Sequence, residues 1–393
     1  MDDRTEHRLT TVVQSLMMGF AELTGLFPSK GAVRRYLWTD AFAVCNFLEL
    51  HSRTGNQEYR ELALRLVDQV HNVLGRHRED DARRGWISGL GEEGGKNHPT
   101  AGGLRIGKRM NERDPSDPFD EALEWDRDGQ YYHYLTKWMH ALCRVSRVTG
   151  DPLYNRWGVE LAKAAHGPFT YVTPAGAGKR IYWKMSIDLS YPLVDSMGLH
   201  DPLDGLITYS ALQSTARRHL QAGPADLTEP ISDMAQMCAG KNFATDDPLG
   251  IGGLLSDGYR AAQLIAGGDF EYPDILNSCL DASLQGLRHY EMSGSQGLPA
   301  EHRLAFRELG LSIGLRAALK LMRVVKRSPD RFTSRESLFS KIESLERYAH
   351  LIDNIESFWL QPASRSTGTW TDHREINTVM LATSLAPDAY LTI

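Results

Sequence analysis

A pattern of six residues occurs twice in the sequence, at positions 54–59 and 149–154. The first copy reads Thr-Gly-Asn-Gln-Glu-Tyr and the second Thr-Gly-Asp-Pro-Leu-Tyr, and each lies between an apolar helix-like stretch and an amphipathic one. A glycine at this place supplies the left-handed residue that ends a helix, and Asn56 or Asp151 can cap the next one. Because a unit of helix, turn and helix cannot bury its apolar face alone, it must stack on further copies of itself.

The number of such helices determines the architecture. Helices rich in Leu, Ala, Gly and aromatic residues, which we call inner, are predicted to begin near Leu37, Asp128, Leu203, Ile251, Glu301 and Asp372. More charged, amphipathic helices, which we call outer, are predicted to begin near Arg4, Glu58, Pro152, Thr228, Tyr272 and Arg335. The two types alternate strictly when the N-terminal helix is paired with the last inner one. The sequence thus predicts an all-α fold, an (α/α)6 toroid of six helical hairpins, rather than an open solenoid, which would need polar capping repeats.

The whole chain, residues 1–393, is predicted to form a single toroid domain, because no Pro/Gly/Ser-rich linker or charge run divides it. A net charge of −6 argues against a general nucleic-acid partner. No apolar stretch approaches the ~18 residues of a membrane span, and the acidic start of the sequence lacks the features of a signal peptide. We expect a cytoplasmic protein with no nucleic-acid or membrane partner; its oligomeric state is unknown from the sequence.

Long connections lead from the outer helices to the next inner helices, whereas the turns from inner to outer helices are short. The longest are predicted between His77 and Arg127 and between Gly167 and Asp201. In a ring of hairpins these connections emerge on one face, which carries the N-terminal ends of the inner helices around a central pit. Long loops on a rigid scaffold are where binding and catalysis concentrate.

Tryptophan and aspartate recur together where inner helices are predicted to begin. The tryptophans are Trp38, Trp125, Trp183 and Trp370, and the carboxylates are Asp40, Asp126, Asp128, Asp204 and Asp372. A sugar ring has an apolar C–H face that stacks on an aromatic ring, and its hydroxyls donate to carboxylates. Two carboxylates can also cleave a glycosidic bond, one as acid and the other as base or nucleophile. The alternative for each aspartate is a helix cap that satisfies backbone N–H groups.

Two further segments carry mixed polar and aromatic residues. Residues 124–140 include Arg127, Tyr132 and His133 near the expected start of an inner helix, which favours a role in lining the site. A later loop contains Lys184, which as part of a lid could bind a carboxylate or phosphate of a ligand. Packing of this loop across the rim of the toroid is the alternative.

The toroidal order of helices, the Thr-Gly-[Asn/Asp]-x-x-Tyr turn and the Trp/Asp-lined helix openings resemble the six-hairpin glycosidase superfamily. That superfamily includes unsaturated glucuronyl hydrolases and several exo-glycosidases, alongside the similarly shaped N-acylglucosamine 2-epimerases. The resemblance spans nearly the whole chain and is one of architecture. It implies a carbohydrate-active enzyme whose partner is a small saccharide, neutral or acidic.

The apparent cofactor-binding motifs of the sequence lack the context or spacing that such motifs require. Residues 89–94 match G-x-G-x-x-G literally, but no strand precedes them and no βαβ unit surrounds them. Residues 175–179 lack the spacing of a P-loop. No H-E-x-x-H or paired Cys/His spacing supports a metal, and capping explains the nearest candidate, His200 with Asp201 and Asp204, more simply. We therefore expect neither a cofactor nor a metal.

The first of the functions left open is a glycoside hydrolase that acts on a small saccharide. Its catalytic carboxylates are predicted to be Asp128 and either Asp40 or Asp204. Its predicted substrate-binding residues are Trp38, Trp125, Arg127, Tyr132, His133, Trp183, Lys184, His302, Trp370, Asp372 and His373.

The second function is a sugar epimerase or isomerase, with His302 and His373 as acid and base, because both histidines are predicted to begin inner helices. Arg303 and Arg307 would then steady the substrate oxygen. The third is a saccharide-binding or scaffold protein without chemistry, which the polar residues expected around the pit disfavour.

Overall fold

The chain forms two compact units in a computed structural model that describes residues 3–28, 33–173, 176, 178–218 and 226–393. Unit 1 consists of Met1–Leu23, Glu49–Gly55 and Gly240–Ile393. Unit 2 consists of Thr24–Leu48 and Asn56–Ala239. The single domain expected over residues 1–393 stays a prediction.

Helices make up most of the described residues, and the predicted all-α fold class is confirmed. They are α1 (Asp3–Leu23), α2 (Leu37–Thr54), α3 (Gln57–Leu74), α4 (Glu92–Asn97), α5 (Glu121–Asp126), α6 (Tyr132–Thr149), α7 (Pro152–Phe169), α8 (Asp201–Arg218), α9 (Thr228–Cys238), α10 (Pro248–Gly267), α11 (Asp274–Met292), α12 (Ala305–Arg327), α13 (Arg335–Glu346), α14 (His350–Leu360), α15 (Gly368–Thr371), α16 (Arg374–Leu385) and α17 (Asp388–Leu391). Every predicted inner and outer helix is present and begins within four residues of its predicted start, and the last outer helix is divided into α13 and α14.

The repeated Thr-Gly turn has the predicted structure. Gly55 and Gly150 have φ angles of 69° and 76°, and the N–H of each bonds a carbonyl of the preceding helix at 2.8 and 2.9 Å. These left-handed positions favour glycine, because an L side chain would be strained there. The Asn56 side chain accepts from the backbone N–H of Glu58, and Asp151 caps α7 in the same way.

Short strands, which the sequence did not predict, join the long connections of unit 2. They are β1 (Gln130–Tyr131), β2 (Thr170–Val172), β3 (Lys179–Ile181), β4 (Lys184–Met185) and β5 (Pro192–Val194). β1, β4 and β5 form an antiparallel sheet in that order, and β2 pairs with β3. The sheet ties the connection before α6 to the connection before α8, and α6 packs on both α7 and α8. The N-terminal ends of α6 and α8 are therefore held by a common framework.

In unit 1, α12 packs against α10, α13, α14 and α16, and α10 also packs against α11. The N-terminal helix α1 packs on α16, so the first outer helix pairs with the last inner one, as predicted. Gly252 of α10 faces Gly310 and Gly314 of α12 so closely that a Cβ on Gly252 would collide with the backbone at Gly310. Glycine at this crossing lets the two inner helices approach each other.

In the described part of the chain, none of the helices is both long enough and apolar enough to cross a membrane. Within those same residues, His, Cys, Asp and Glu side chains form no group of three or more that could hold a metal ion.

Candidate functional site

Two aspartates in the first turn of α8 lie against polar residues of α6. Asp204 is buried, and its Oδ2 accepts hydrogen bonds of 2.6 Å from Lys137 Nζ and from Thr136 Oγ1. An ammonium group at this distance stabilises the ionised form of a carboxyl group. Asp204 is thus fixed by α6 through two hydrogen bonds to this oxygen.

Asp201 lies three residues earlier on the same face of α8 and has a different environment. Burial, and then the charge of Asp204, raises the pKa of Asp201 to about 7, against an opposing effect of Lys137. Its Oδ2 is buried without a hydrogen-bond partner among the described residues. Asp201 therefore retains its proton at pH values where an ordinary aspartate is ionised.

His133 is a half-buried side chain close to Asp201. Its Nδ1 is 4.0 Å from Asp201 Oδ1, too long for a hydrogen bond, and this nitrogen also has no partner within the described residues. Shielding of the ring from water, and then the charge of Lys137, lowers the pKa of His133 to about 4. Between about pH 4 and pH 7 a neutral imidazole and a protonated carboxyl group thus lie side by side. Each has a polar atom without a hydrogen-bond partner in the described part of the chain, which in a folded protein calls for an explanation.

Aromatic rings extend from this point. The His133 ring stacks on Trp183, with centroids 6.1 Å apart and planes at 12°. The ring centroid of Trp183 is 5.2 Å from that of Tyr131. It is 5.4 Å from that of Trp125, which it meets edge to face. We call Asp201, Asp204, His133, Lys137 and Trp183 the α6–α8 cluster.

Sequence reasoning found part of this cluster. It named Asp204, His133 and Trp183 as site residues, but it did not include Asp201 or Lys137 in the predicted site. The four-residue spacing of His133 and Lys137 did place them on one helix face. The position of α8 opposite that face depends on tertiary packing, which no local spacing records.

Other predicted residues of unit 2 have structural partners. Asp128 does not open a helix: α6 begins four residues later, at Tyr132, because Gly129 has a φ of 147° and Gln130 belongs to β1. Asp128 is fully buried, and its Oδ2 accepts from Arg105 at 2.9 Å and from Arg78 at 3.3 Å.

The backbone N–H groups of Gly107 and Gly129 donate to the other oxygen of Asp128, at 2.9 and 3.1 Å. Both carboxylate oxygens of Asp128 are thus hydrogen-bonded to other groups of the chain. This arrangement favours a structural role for Asp128, as an anchor between the segment around Arg105 and the start of α6.

Asp40 and Trp38 lie at the start of α2. Asp40 accepts from the backbone N–H of Tyr36 at 2.9 Å and from Arg35 at 3.3 Å, which is the capping arrangement that the sequence left open as an alternative. Trp38 is buried and packs against Phe42, with ring centroids 4.4 Å apart.

The polar groups of Tyr132 and Lys184 form hydrogen bonds with other residues of unit 2. The Tyr132 hydroxyl donates to Tyr209 at 2.8 Å in the core between α6 and α8. The fully buried ammonium of Lys184 bonds Glu124 Oε2 at 3.0 Å and the carbonyl of Arg127 at 2.9 Å. Lys184 therefore fastens a loop, in agreement with the packing alternative, and the Arg127 guanidinium lies 3.7 Å from Asp117.

The remaining predicted residues belong to unit 1. Trp370 is buried and stacks on Trp359, with ring centroids 5.8 Å apart. Asp372, His373 and His302 are exposed, and the His373 ring contacts the edge of Phe306 at 5.7 Å.

His302 lines a cavity of about 380 Å³ at the start of α12, together with Asp246, His289 and Arg307. Arg307 forms a 2.6 Å ion pair with Asp247. Arg303 is buried and binds Glu308 through two hydrogen bonds of 2.8 and 2.7 Å, which makes it part of the wall.

The succession of hairpins and the whole-chain fold define a class: the chain has the fold of the six-hairpin helical toroids, as its sequence implied. The α-1,6-mannanase GH76A of Salegentibacter sp. HEL1_6 is similar over 96% of this chain and 99% of its own, with a TM-score of 0.56 and 11% identity. An inactive variant of that enzyme, in which two consecutive aspartates are replaced by alanine, is known in complex with α-1,6-mannotetrose, with a TM-score of 0.55 and 12% identity over the same shares.

Cellobiose 2-epimerase from Spirochaeta thermophila DSM 6192 is similar over 97% of this chain and 98% of its own, with a TM-score of 0.51 and 12% identity. At these identities the likeness concerns the fold alone. No protein-family model and no curated protein sequence matches the chain.

Proposed function

We propose that the chain is a glycoside hydrolase that uses Asp201 as the acid and Asp204 as the base or nucleophile. The observation that carries this proposal is the pair of carboxyl groups on one helical turn, of which Asp204 bonds an ammonium group while Oδ2 of Asp201 has no hydrogen-bond partner among the described residues. Asp201 has its pKa raised to about 7, whereas Asp204 is hydrogen-bonded to an ammonium group. Pairs of titratable groups with such divergent environments are typical of acid–base catalysis.

In the proposed reaction, Asp201 gives its proton to the oxygen of the glycosidic bond as the bond from that oxygen to the anomeric carbon breaks. Asp204 then bonds the anomeric carbon in a glycosyl-enzyme, and a water molecule displaces Asp204, supplies the hydroxyl of the new reducing end and returns a proton to Asp201. Residues three apart on a helix have Cβ atoms about 5–6 Å apart. This separation favours the roughly 5–5.5 Å carboxyl spacing of retaining hydrolases over the wider spacing of inverting ones.

A sugar would reach the pair from the side of His133 and Lys137, which are both half-buried. Nδ1 of His133 and Oδ2 of Asp201 have no hydrogen-bond partner within the residues that the structure describes, and a sugar hydroxyl or the glycosidic oxygen can satisfy them. Trp183 beside them offers an aromatic surface for the C–H face of a sugar ring. These features, together with the toroid fold, support a saccharide as the substrate.

Replacing Asp201 by asparagine is expected to lower kcat/KM roughly a hundred- to ten-thousandfold, because the proton donor is lost. The loss should be much smaller for an aryl glycoside whose leaving group is already a weak base, since that bond needs no protonation. In the unchanged protein, kcat/KM for a natural saccharide should fall as pH rises through about 7, where Asp201 loses its proton. Steady-state kinetics from pH 4 to pH 9 measure all three effects.

An Asp201→Asn protein that hydrolyses saccharides and aryl glycosides with equal losses would contradict the role of Asp201 as acid. A high-pH decline that persists unchanged in this variant would also assign that titration to another group.

A sugar epimerase is the second candidate, favoured by the cavity of unit 1 that contains His302 and Arg307. An epimerase exchanges the hydrogen on the carbon next to a carbonyl, through a base such as histidine. His373 contacts the ring of Phe306, and the Arg307 guanidinium lies over that same ring. Since Arg307 and His302 line the cavity, His373 is close to it as well.

Incubation of the protein with cellobiose in D₂O separates the two candidates. As a hydrolase the protein should leave the hydrogen on carbon 2 unexchanged, which proton NMR and mass spectrometry measure. Deuterium at that carbon, lost in His302→Ala but kept in His350→Ala, would support the epimerase instead. His350 is a suitable control because it is an exposed unit 1 histidine whose ring Nδ1 bonds the backbone carbonyl of Arg347 in its own turn.

A further inference from the structure

The short helix α5 presents a large apolar side chain to solvent beside the α6–α8 cluster. The Trp125 side chain is 51% exposed, although tryptophan contributes most to folding when it is buried. Its ring makes an edge-on contact with Trp183. About half of its surface is therefore available for stacking with a partner.

The residue before Trp125 is held unusually firmly. Glu124 is buried, and its carboxylate accepts from Lys184 at 3.0 Å and from Arg113 at 2.9 Å. Lys184 Nζ also bonds the Glu124 carbonyl at 2.8 Å, and Asp120 caps the start of α5. Two cations thus clamp the short helix α5 at Glu124, which holds the backbone that carries the exposed ring of Trp125.

A fixed exposed ring gives little to stability but lowers the entropy lost when a ligand stacks on it. Lys184 and Glu124 are fully or almost fully buried, so their interaction is screened little by solvent. The buried Lys184–Glu124 pair therefore serves to hold the Trp125 ring in place before a ligand binds.

The rings form a continuous row that leads from the carboxyl pair to solvent. Asp201 Oδ1 lies 4.0 Å from His133 Nδ1, the His133 ring stacks on Trp183, and Trp183 contacts Trp125. The successive ring centroids are 6.1 and 5.4 Å apart. A sugar chain that lies along this row would place successive units on successive rings.

We propose that Trp125 forms an outer subsite and that the substrate is an oligosaccharide of at least three sugar units. The inference rests on the proposed function, because the bond to be cleaved at Asp201 and Asp204 joins two units. One of them is flanked by Trp183, and Trp125 binds the next unit along the chain. Stacking at Trp125 then strengthens binding of longer chains without touching the reacting bond.

Kinetics with chains of two and four units test the subsite. The probes are di- and tetrasaccharides of α-1,6-linked mannose, β-1,4-linked glucose and a uronic acid, and the series that the protein cleaves is then used throughout. In Trp125→Ala, kcat/KM should fall about tenfold for the tetrasaccharide and stay within twofold for the disaccharide. Trp125→Phe, which keeps a ring, should recover most of the loss.

Leu123→Ala is the matched control, because Leu123 is on the same short helix and is 41% exposed. Its kcat/KM should match that of the unchanged protein for both chain lengths. Equal losses for both lengths in Trp125→Ala, or none, would overturn the subsite and leave the hydrolase intact. Failure of the unchanged protein to cleave any probe would overturn both the subsite and the proposed function.

Discussion

Replacing Asp204 by asparagine is expected to reduce turnover of a cleaved saccharide at least about a thousandfold. A carboxylate that stabilises the anomeric carbon in the transition state contributes several kcal/mol to lowering the barrier. Asparagine keeps the size of the side chain and can still accept from Thr136 and Lys137, so the fold should persist. Steady-state kinetics, with circular dichroism to verify folding, measure the effect.

Asp233→Asn provides a closely matched control in the same unit. Asp233 is also buried, and its Oδ2 also accepts a 2.6 Å hydrogen bond from a lysine, Lys179, in addition to a 3.0 Å contact with His166. Any general cost of removing a paired aspartate should therefore be the same in both variants. Near-normal turnover in Asp204→Asn, or equal losses in the two variants, would show that Asp204 is not catalytic.

The hairpin architecture was predictable because its determinants are local. Leu62, Leu66 and Val70 recur at helical spacing and are all buried in α3. The glycine at each Thr-Gly turn is required by a left-handed backbone position, which leaves a direct mark in the sequence. Strands such as β1 and β4 span only two residues, too short for the alternating pattern by which a strand is recognised.

The candidate site was harder to predict, because the partner of each carboxylate comes from elsewhere in the chain. Asp204 and Asp128 look alike in the sequence, since each is an aspartate near the predicted start of an inner helix. One meets a lysine from α6 and the other meets two arginines from the long loop. Which arrangement each aspartate obtains depends on how loops and helices pack, and no local pattern in the sequence records it.

The role assigned to Asp128 leads to the largest expected effect on stability. In Asp128→Asn, the neutral amide cannot balance the charges of Arg78 and Arg105, and one of its two polar atoms can no longer accept hydrogen bonds. Removing one partner from a buried ion pair costs about 3–5 kcal/mol, because an uncompensated charge is left behind. We expect a loss of this size in the free energy of unfolding, measured by urea denaturation with linear extrapolation.

The control is Asp80→Asn, which removes a different partner of the same Arg78. Asp80 forms a 2.7 Å pair with Arg78, but its side chain is 58% exposed, and exposed pairs contribute about 0–1 kcal/mol. This variant should therefore unfold almost like the unchanged protein. Under conditions where Asp128→Asn remains folded, its turnover should stay within about tenfold of normal, because Asp128 holds loops and does not touch substrate. A variant that is as stable as the unchanged protein but has lost turnover would instead restore Asp128 to the catalytic pair, as its sequence context first indicated.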